Sequence, residues 1–334
     1  IYLGGILCLG IGYWLSGQLN TLWHFYVCMG IMSGFGAALI WQIPGQSLIS
    51  RWFDKNLGTA LAFIYAGFGF GILLLAPVAN LLIESHGWRL TYQYFGLSFL
   101  CLLPFVAVLP WKVIEKGAPN NPRRTISGRA EGGFSLYEAL KMRAYWAMFL
   151  IYFLTAFAIF GVSVQSVVYL VELGFGEFEA AGAFGIAGIL SFAGMFLTGA
   201  AADRYGRSLV ATISYLLTIL GVIGLAFLQF VPEKSLILLW IIPYGLSMGA
   251  RGPIIATLQA KLFAGRGLGA IYGMTMMGQG LGAGLSAWFG GLLFDLTGGY
   301  NLLFSISIFS SLVCIILFWI TPEIRLGRLD RTKG

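Results

Sequence analysis

Ten apolar runs follow one another along the chain, at residues 1–15, 22–49, 57–82, 90–109, 145–170, 180–201, 209–230, 236–258, 268–294 and 302–320. Most are about 18 to 25 residues long, which as a helix rising 1.5 Å per residue is enough to cross a hydrocarbon core of about 30 Å. Hydrophobic residues make up 58% of the 334 and charged residues 10%, proportions that a water-soluble domain does not have. In lipid each segment must satisfy its own backbone hydrogen bonds, which a helix does. The sequence therefore predicts an all-α polytopic membrane protein with about ten transmembrane helices.

The polar separators are short except at residues 112–134. That stretch contains A-P-N-N-P-R-R and few large apolar residues, so it reads as a linker between an N-terminal bundle of four helices (1–111) and a C-terminal bundle of six (135–322), with a tail at 323–334. Ser135 and Glu138 have the spacing of a capping box, which opens an amphipathic surface helix leading into the fifth run. With Ile1 placed on the cytoplasmic side, only Arg89 and Lys234 fall outside and Arg251 falls within a run. All the other Lys and Arg of the twenty then face inward, as the positive-inside rule requires. The net charge of +7 thus follows from topology, and no soluble basic face is left for nucleic acid.

The two bundles share a repeat. At an offset of about 211 residues, Gly58 falls on Gly269, Gly67 on Gly278, Gly69 on Gly280, Gly71 on Gly282, Glu84 on Asp295 and Gly87 on Gly298. The first four runs then pair with the last four, and residues 145–170 and 180–201 have no counterpart. This pattern predicts two further helices ahead of Ile1 in a parent of twelve; the alternative is a ten-span chain. The pairs Gly67, Gly71 and Gly278, Gly282 are G-x-x-x-G steps that let membrane helices pack backbone to backbone or slide past one another.

Catalytic chemistry has no material here. Cys8, Cys28, Cys101 and Cys314 lie inside apolar runs without metal spacing, His24 and His86 sit near run ends, and no acidic residue falls inside a run. We expect no enzyme, no metal and no cofactor.

Gly199, Asp203, Arg204, Gly206 and Arg207 close the sixth run and turn into the seventh as G-A-A-A-D-R-Y-G-R. This resembles the G-x-x-x-D-R-x-G-R signature of the major facilitator superfamily, at its place between the second and third helices of a six-helix half. The stretches R-W-F-D-K-N-L-G-T-A, G-W-R-L-T-Y and F-A-G-R-G-L-G-A-I-Y-G resemble the branch of monocarboxylate transporters and oxalate–formate-type antiporters. The resemblance implies a two-bundle transporter in a bacterial inner membrane with a cytoplasmic C-terminus. It also implies a gating role for the motif, with Asp203 approaching residues 267–269 and Gly199 letting the sixth span approach its neighbour closely; an ordinary solvated turn is the competing reading. The branch often carries an arginine in the helix matching residues 180–198, and some members carry a lysine in the one matching 268–294. This chain has neither.

Arg251 is the one charge inside a run. Burying it costs about 2.5 to 3.5 kcal/mol on insertion scales, so partners or a wet cavity are expected around it. By the resemblance its run lines the central cavity, where a guanidinium would bind a carboxylate through paired hydrogen bonds. The alternative is that it snorkels to cytoplasmic water, helped by the G-P that loosens the helix after it. Trp41, Gln42 and Gln46 on the second run, Gln165 on the fifth, and Tyr244 and Ser247 on the eighth are further binding candidates, with interhelical hydrogen bonding as the commoner role for such residues. The expected partners are a small organic anion (a mono- or dicarboxylate), membrane lipid, and either a proton or a counter-substrate; no nucleic acid is expected. Export of a neutral or amphipathic compound, favoured if Arg251 faces cytoplasmic water, and a non-transporting receptor or scaffold are the alternatives.

Overall fold

A computed structural model describes residues 1–40, 44–45, 48–49, 52–53, 57–117, 134–263 and 267–326. The linker at 118–133 lies outside them. The chain divides into two compact units, Ile1–Leu57 with Gly71–Thr125, and Gly58–Phe70 with Ile126–Gly334.

The first unit holds α1 (Tyr2–Ser16), α2 (Leu22–Ile40, with a π-helical stretch at Tyr26–Ser33), the later part of α3 (Leu57–Val108) and α4 (Trp111–Lys116). Residues 58–70 of α3 belong to the second unit. Gly87 at φ 78° and ψ 163° breaks α3 into two helices, as the separate runs at 57–82 and 90–109 predict. Helices in lipid gain little from burying apolar surface and associate through small residues. Here Gly5 meets Gly36, whose added Cβ would stand 2.8 Å from the Gly5 oxygen, and Gly96 meets Gly10, with a Cβ 2.8 Å from the Gly10 oxygen.

The second unit comprises α5 (Leu136–Leu140), α6 (Arg143–Glu172), α7 (Glu177–Tyr205), α8 (Arg207–Phe227), α9 (Leu238–Met248), α10 (Arg251–Leu262), α11 (Leu268–Thr297), α12 (Asn301–Ile320) and α13 (Pro322–Leu326). The capping box forms: the Ser135 amide donates to Glu138 Oε2 at 2.7 Å and the Glu138 amide to Ser135 Oγ at 3.2 Å. Those contacts hold the exposed Glu138 carboxyl below its ordinary range, first through the Ser135 amide and then its hydroxyl. α11 lies on α6 through the expected glycines, since a Cβ at Gly278 would meet the Phe149 oxygen at 2.8 Å and one at Gly282 the Phe153 oxygen at 2.2 Å. Their repeat partners Gly67 and Gly71 have no described atom within 4 Å of that position.

Among the described residues six helices are long and apolar enough to cross a membrane: Leu22–Ile40, Leu81–Val108, Arg143–Glu172, Glu177–Ala202, Arg207–Phe227 and Asn301–Ile320. α1 has 15 residues and falls short in length. The run at 236–258, expected as one span, is instead two helices of 11 and 12 residues, α9 and α10.

Candidate functional site

The break between α9 and α10 sets the position of Arg251. Pro243 inside α9 lacks the N–H that a continuous helix would use. Past Met248, the Ala250 amide turns back to the Ser247 carbonyl at 3.3 Å, and the Ala250 carbonyl accepts the Thr198 hydroxyl of α7 at 3.1 Å. Freed backbone groups at membrane depth need such partners. α7 comes this close because of glycines on both helices. A Cβ at Gly194 would stand 1.9 Å from the Leu246 oxygen, and one at Gly249 would stand 2.5 Å from Met195 Cε and 2.6 Å from Ser191 Oγ.

Arg251 is the first residue of α10 and is 1% exposed, the only charged side chain among the buried described residues. It does not snorkel; it is enclosed within the second unit. Its Nη2 donates to Thr218 Oγ1 of α8 at 2.7 Å and to the Ser247 carbonyl at 3.1 Å. Its Cζ lies 4.5 Å from the centroid of the Tyr215 ring. Nε and Nη1 have no hydrogen-bond partner among the described residues.

The hydroxyls around it are joined by hydrogen bonds. Ser247 Oγ donates to the Tyr244 carbonyl at 2.9 Å, and the single proton of Thr218 has Ser247 Oγ at 2.8 Å and the Ser214 carbonyl at 3.3 Å as acceptors. Thr218 therefore accepts from Arg251 on one lone pair and has its proton for Ser247 or for the Ser214 carbonyl. Tyr244 donates its own hydroxyl to the Ile159 carbonyl at 2.7 Å and accepts from Ser163 at 2.9 Å, which ties α9 to α6.

Of the residues expected from sequence, Arg251, Tyr244 and Ser247 are therefore brought together. Gln165 is half-buried and packs elsewhere, where a Cβ on Gly290 of α11 would meet its side-chain nitrogen at 2.9 Å. Trp41, Gln42 and Gln46 lie outside the described residues. In the signature motif, Gly206 has φ 94°, a left-handed backbone that favours glycine and lets the chain reverse into α8. Arg204 lies 5.5 Å from the Tyr205 ring centroid, and Arg207 opens α8. Among the described residues nothing lies within 4 Å of where a Gly199 Cβ would be, and it is Gly194 that makes a close approach. The Asp203 side chain lies outside the described set, and the neighbour found against Gly267 is the Phe134 carbonyl, 2.2 Å from an added Cβ. Thr218 and Tyr215 escaped the sequence reading, although Ser214, Thr218 and Gly221 follow one another at helical spacing along one face of α8.

These features define a helical membrane protein with one enclosed cation at a broken helix. Residues 1–275 match the Major Facilitator Superfamily, and the chain belongs to that family of membrane proteins. It is 28% identical over 314 residues to human monocarboxylate transporter 11, an alignment covering 92% of this chain and 65% of the relative. It is 25% identical over 286 residues to an Escherichia coli protein described as the uncharacterized MFS-type transporter YhjX, covering 84% and 67%. The chain spans about two thirds of the length of these curated relatives. Among solved structures it resembles the E. coli fucose:proton symporter FucP, with a TM-score of 0.72 at 16% identity over 98% of this chain and 83% of that one. The proton:xylose symporter XylE gives 0.74 at 16% identity, over 95% and 79%. At that identity the structural likeness establishes the fold.

Proposed function

We propose that this protein moves a small organic anion, a monocarboxylate or dicarboxylate, across a bacterial inner membrane by alternating access, with its C-terminus in the cytoplasm and Arg251 as the anion's counter-charge. The observation that carries this reading is the state of Arg251: a fixed cation, 1% exposed, with donors on Nε and Nη1 that no group among the described residues accepts. An acceptor of opposite charge satisfies such donors best, and a carboxylate is the acceptor that relatives named monocarboxylate transporters bring to mind. Substrate reaches the guanidinium when α10 turns at Gly249 and Ala250. Tyr244 and Ser247 frame the same site, and Gln165, Trp41, Gln42 and Gln46 are kept in this reading as further candidate substrate contacts.

The turn from Gly199 to Arg207 acts as the cytoplasmic gate in this scheme, with Gly206 as its pivot and Asp203, Arg204 and Arg207 as the charges that hold or release it. Export of a neutral or amphipathic compound is the reading that Arg251 facing cytoplasmic water would favour, and its 1% exposure supports the anion reading instead.

Counterflow in proteoliposomes with radiolabelled acetate, pyruvate, lactate, oxalate and formate tests the reading. The wild type is expected to exchange at least one of them and Arg251→Gln none. Uptake unchanged in Arg251→Gln removes the anion site. Repeating the assay with an imposed pH gradient separates proton-coupled entry from exchange with a counter-substrate.

A further inference from the structure

Resting on that reading of Arg251, we propose that Thr218 is a positioning residue that latches the guanidinium shut, so that a carboxylate gains a two-pronged grip only by displacing it. A guanidinium offers a carboxylate two bidentate edges, Nε with Nη2 and Nη1 with Nη2, because Cδ shields the third side. Both edges contain Nη2. In this structure both protons of Nη2 are committed, one to Thr218 Oγ1 at 2.7 Å and one to the Ser247 carbonyl at 3.1 Å. Nε and Nη1, the donors left over, share no edge. The side chain is therefore charged and accessible in chemistry to a single-pronged contact, and closed to the paired one.

The latch is built to hold. Thr218 is fully buried, with Ser247 Oγ at 2.8 Å and the Ser214 carbonyl at 3.3 Å beside its hydroxyl, and Ser247 Oγ donates to the Tyr244 carbonyl at 2.9 Å. Thr218 Oγ1, held by these neighbours, presents a lone pair to Nη2 at 2.7 Å. Gly221, one turn further along α8, keeps this face within reach of α9: a Cβ there would stand 2.7 Å from Tyr244 Cβ. The consequence has an unusual sign, since removing the internal acceptor leaves the substrate carboxylate without a competitor. Binding tightens, and release slows with it.

The test is counterflow kinetics of radiolabelled pyruvate, acetate and lactate on the reconstituted protein, with Thr218→Val, Thr218→Ser, Thr218→Cys and Arg251→Gln. A hydrogen bond to a charged group is worth enough to shift affinity about tenfold. Thr218→Val is expected to lower KM by about tenfold and to lower the maximal rate, while Thr218→Ser stays within about twofold of wild type. Thr218→Cys, a weak acceptor of similar size, gives the same direction and serves if the valine variant fails to fold. A structural role alone would lower the rate or the yield without lowering KM. Unchanged or raised KM in both Val and Cys variants, with Arg251→Gln inactive, overturns the latch and leaves the anion site standing. Full activity in Arg251→Gln, or no counterflow of any probe by the wild type, overturns both.

Discussion

The Cζ of Arg251 lies 4.5 Å from the centroid of the Tyr215 ring, and the Tyr215 hydroxyl lies 2.6 Å from Thr155 Oγ1. A single aromatic ring thus carries the buried cation on its face and fastens α8 to α6 at its edge. The face and the edge can be separated by substitution. Tyr215→Leu loses both and is expected to cost about 2 kcal/mol or more, the range for a desolvated cation over an aromatic ring. Tyr215→Phe keeps the face, loses one hydrogen bond, and is expected to cost about 1 kcal/mol. Thermal unfolding of the detergent-purified variants reads the order directly. Equal losses would show that the ring face contributes nothing to holding Arg251.

A second prediction separates what Arg251 does for folding from what it does for transport. A lone charge held at 1% exposure is expensive to bury, by about 2.5 to 3.5 kcal/mol on insertion scales, and only Nη2 of its three nitrogens is hydrogen-bonded. Arg251→Met fills much the same space without the charge, and replacing buried ionic groups by apolar ones is often neutral or stabilising. We expect the midpoint of thermal unfolding to hold or rise and carboxylate counterflow to vanish. A large drop in the midpoint would make the arginine a structural element.

How far the sequence reaches can be seen by comparing elements. Most helices, and the break between the runs at 57–82 and 90–109, were legible because run length acts locally, whereas the division of 236–258 into α9 and α10 was not. The capping box at Ser135 and Glu138 was legible for the same reason. The partners of Arg251 were not, because they depend on which face of α8 turns toward α9, and that is fixed by Gly221 and Gly224 admitting Tyr244 and Leu239. The motif glycine Gly199 misled in a related way. A signature states that a small residue is present, whereas the close crossing falls five residues earlier, on Gly194. Likewise the repeat aligns Gly67 and Gly71 with Gly278 and Gly282, yet only the second pair meets a neighbouring backbone among the described residues.

That contrast yields a paired prediction on α7. A side chain at Gly194 would be driven into the Leu246 carbonyl, 1.9 Å from its Cβ, and backbone cannot swing away as a flexible side chain does. Gly194→Val is expected to cost about 3 kcal/mol, the upper part of the usual overpacking range, and to reduce folded yield. Gly199→Ala meets nothing within 4 Å among the described residues and gains up to about 1 kcal/mol of helix propensity. Expression yield and thermal midpoints of the two variants measure this. A Gly199→Ala protein as unstable as Gly194→Val would place the close crossing at the motif after all.

The last prediction concerns pH at the entry to α6. Glu138 closes the capping box by accepting from the Ser135 amide, and its carboxyl is held below the ordinary range by that contact. A group whose folded pKa is depressed contributes stability that is complete above its unfolded value, about 4.3 for Glu, and is lost as pH falls through the lower folded value. The first turn of α5 is therefore expected to keep constant amide protection from pH 8 down to about 5 and to loosen at more acidic pH. Trp146 reports on the same place, since its indole Nε1 donates to the Leu140 carbonyl at 2.9 Å, at the end of α5. Hydrogen exchange of residues 135–146, expressed as protection factors, tests the profile. Glu138→Gln retains a side-chain acceptor without a titrating group, so its protection is expected to be lower than wild type at neutral pH and flat through the acidic range. A wild-type profile equally flat below pH 4 would mean that the carboxylate form adds nothing to the cap.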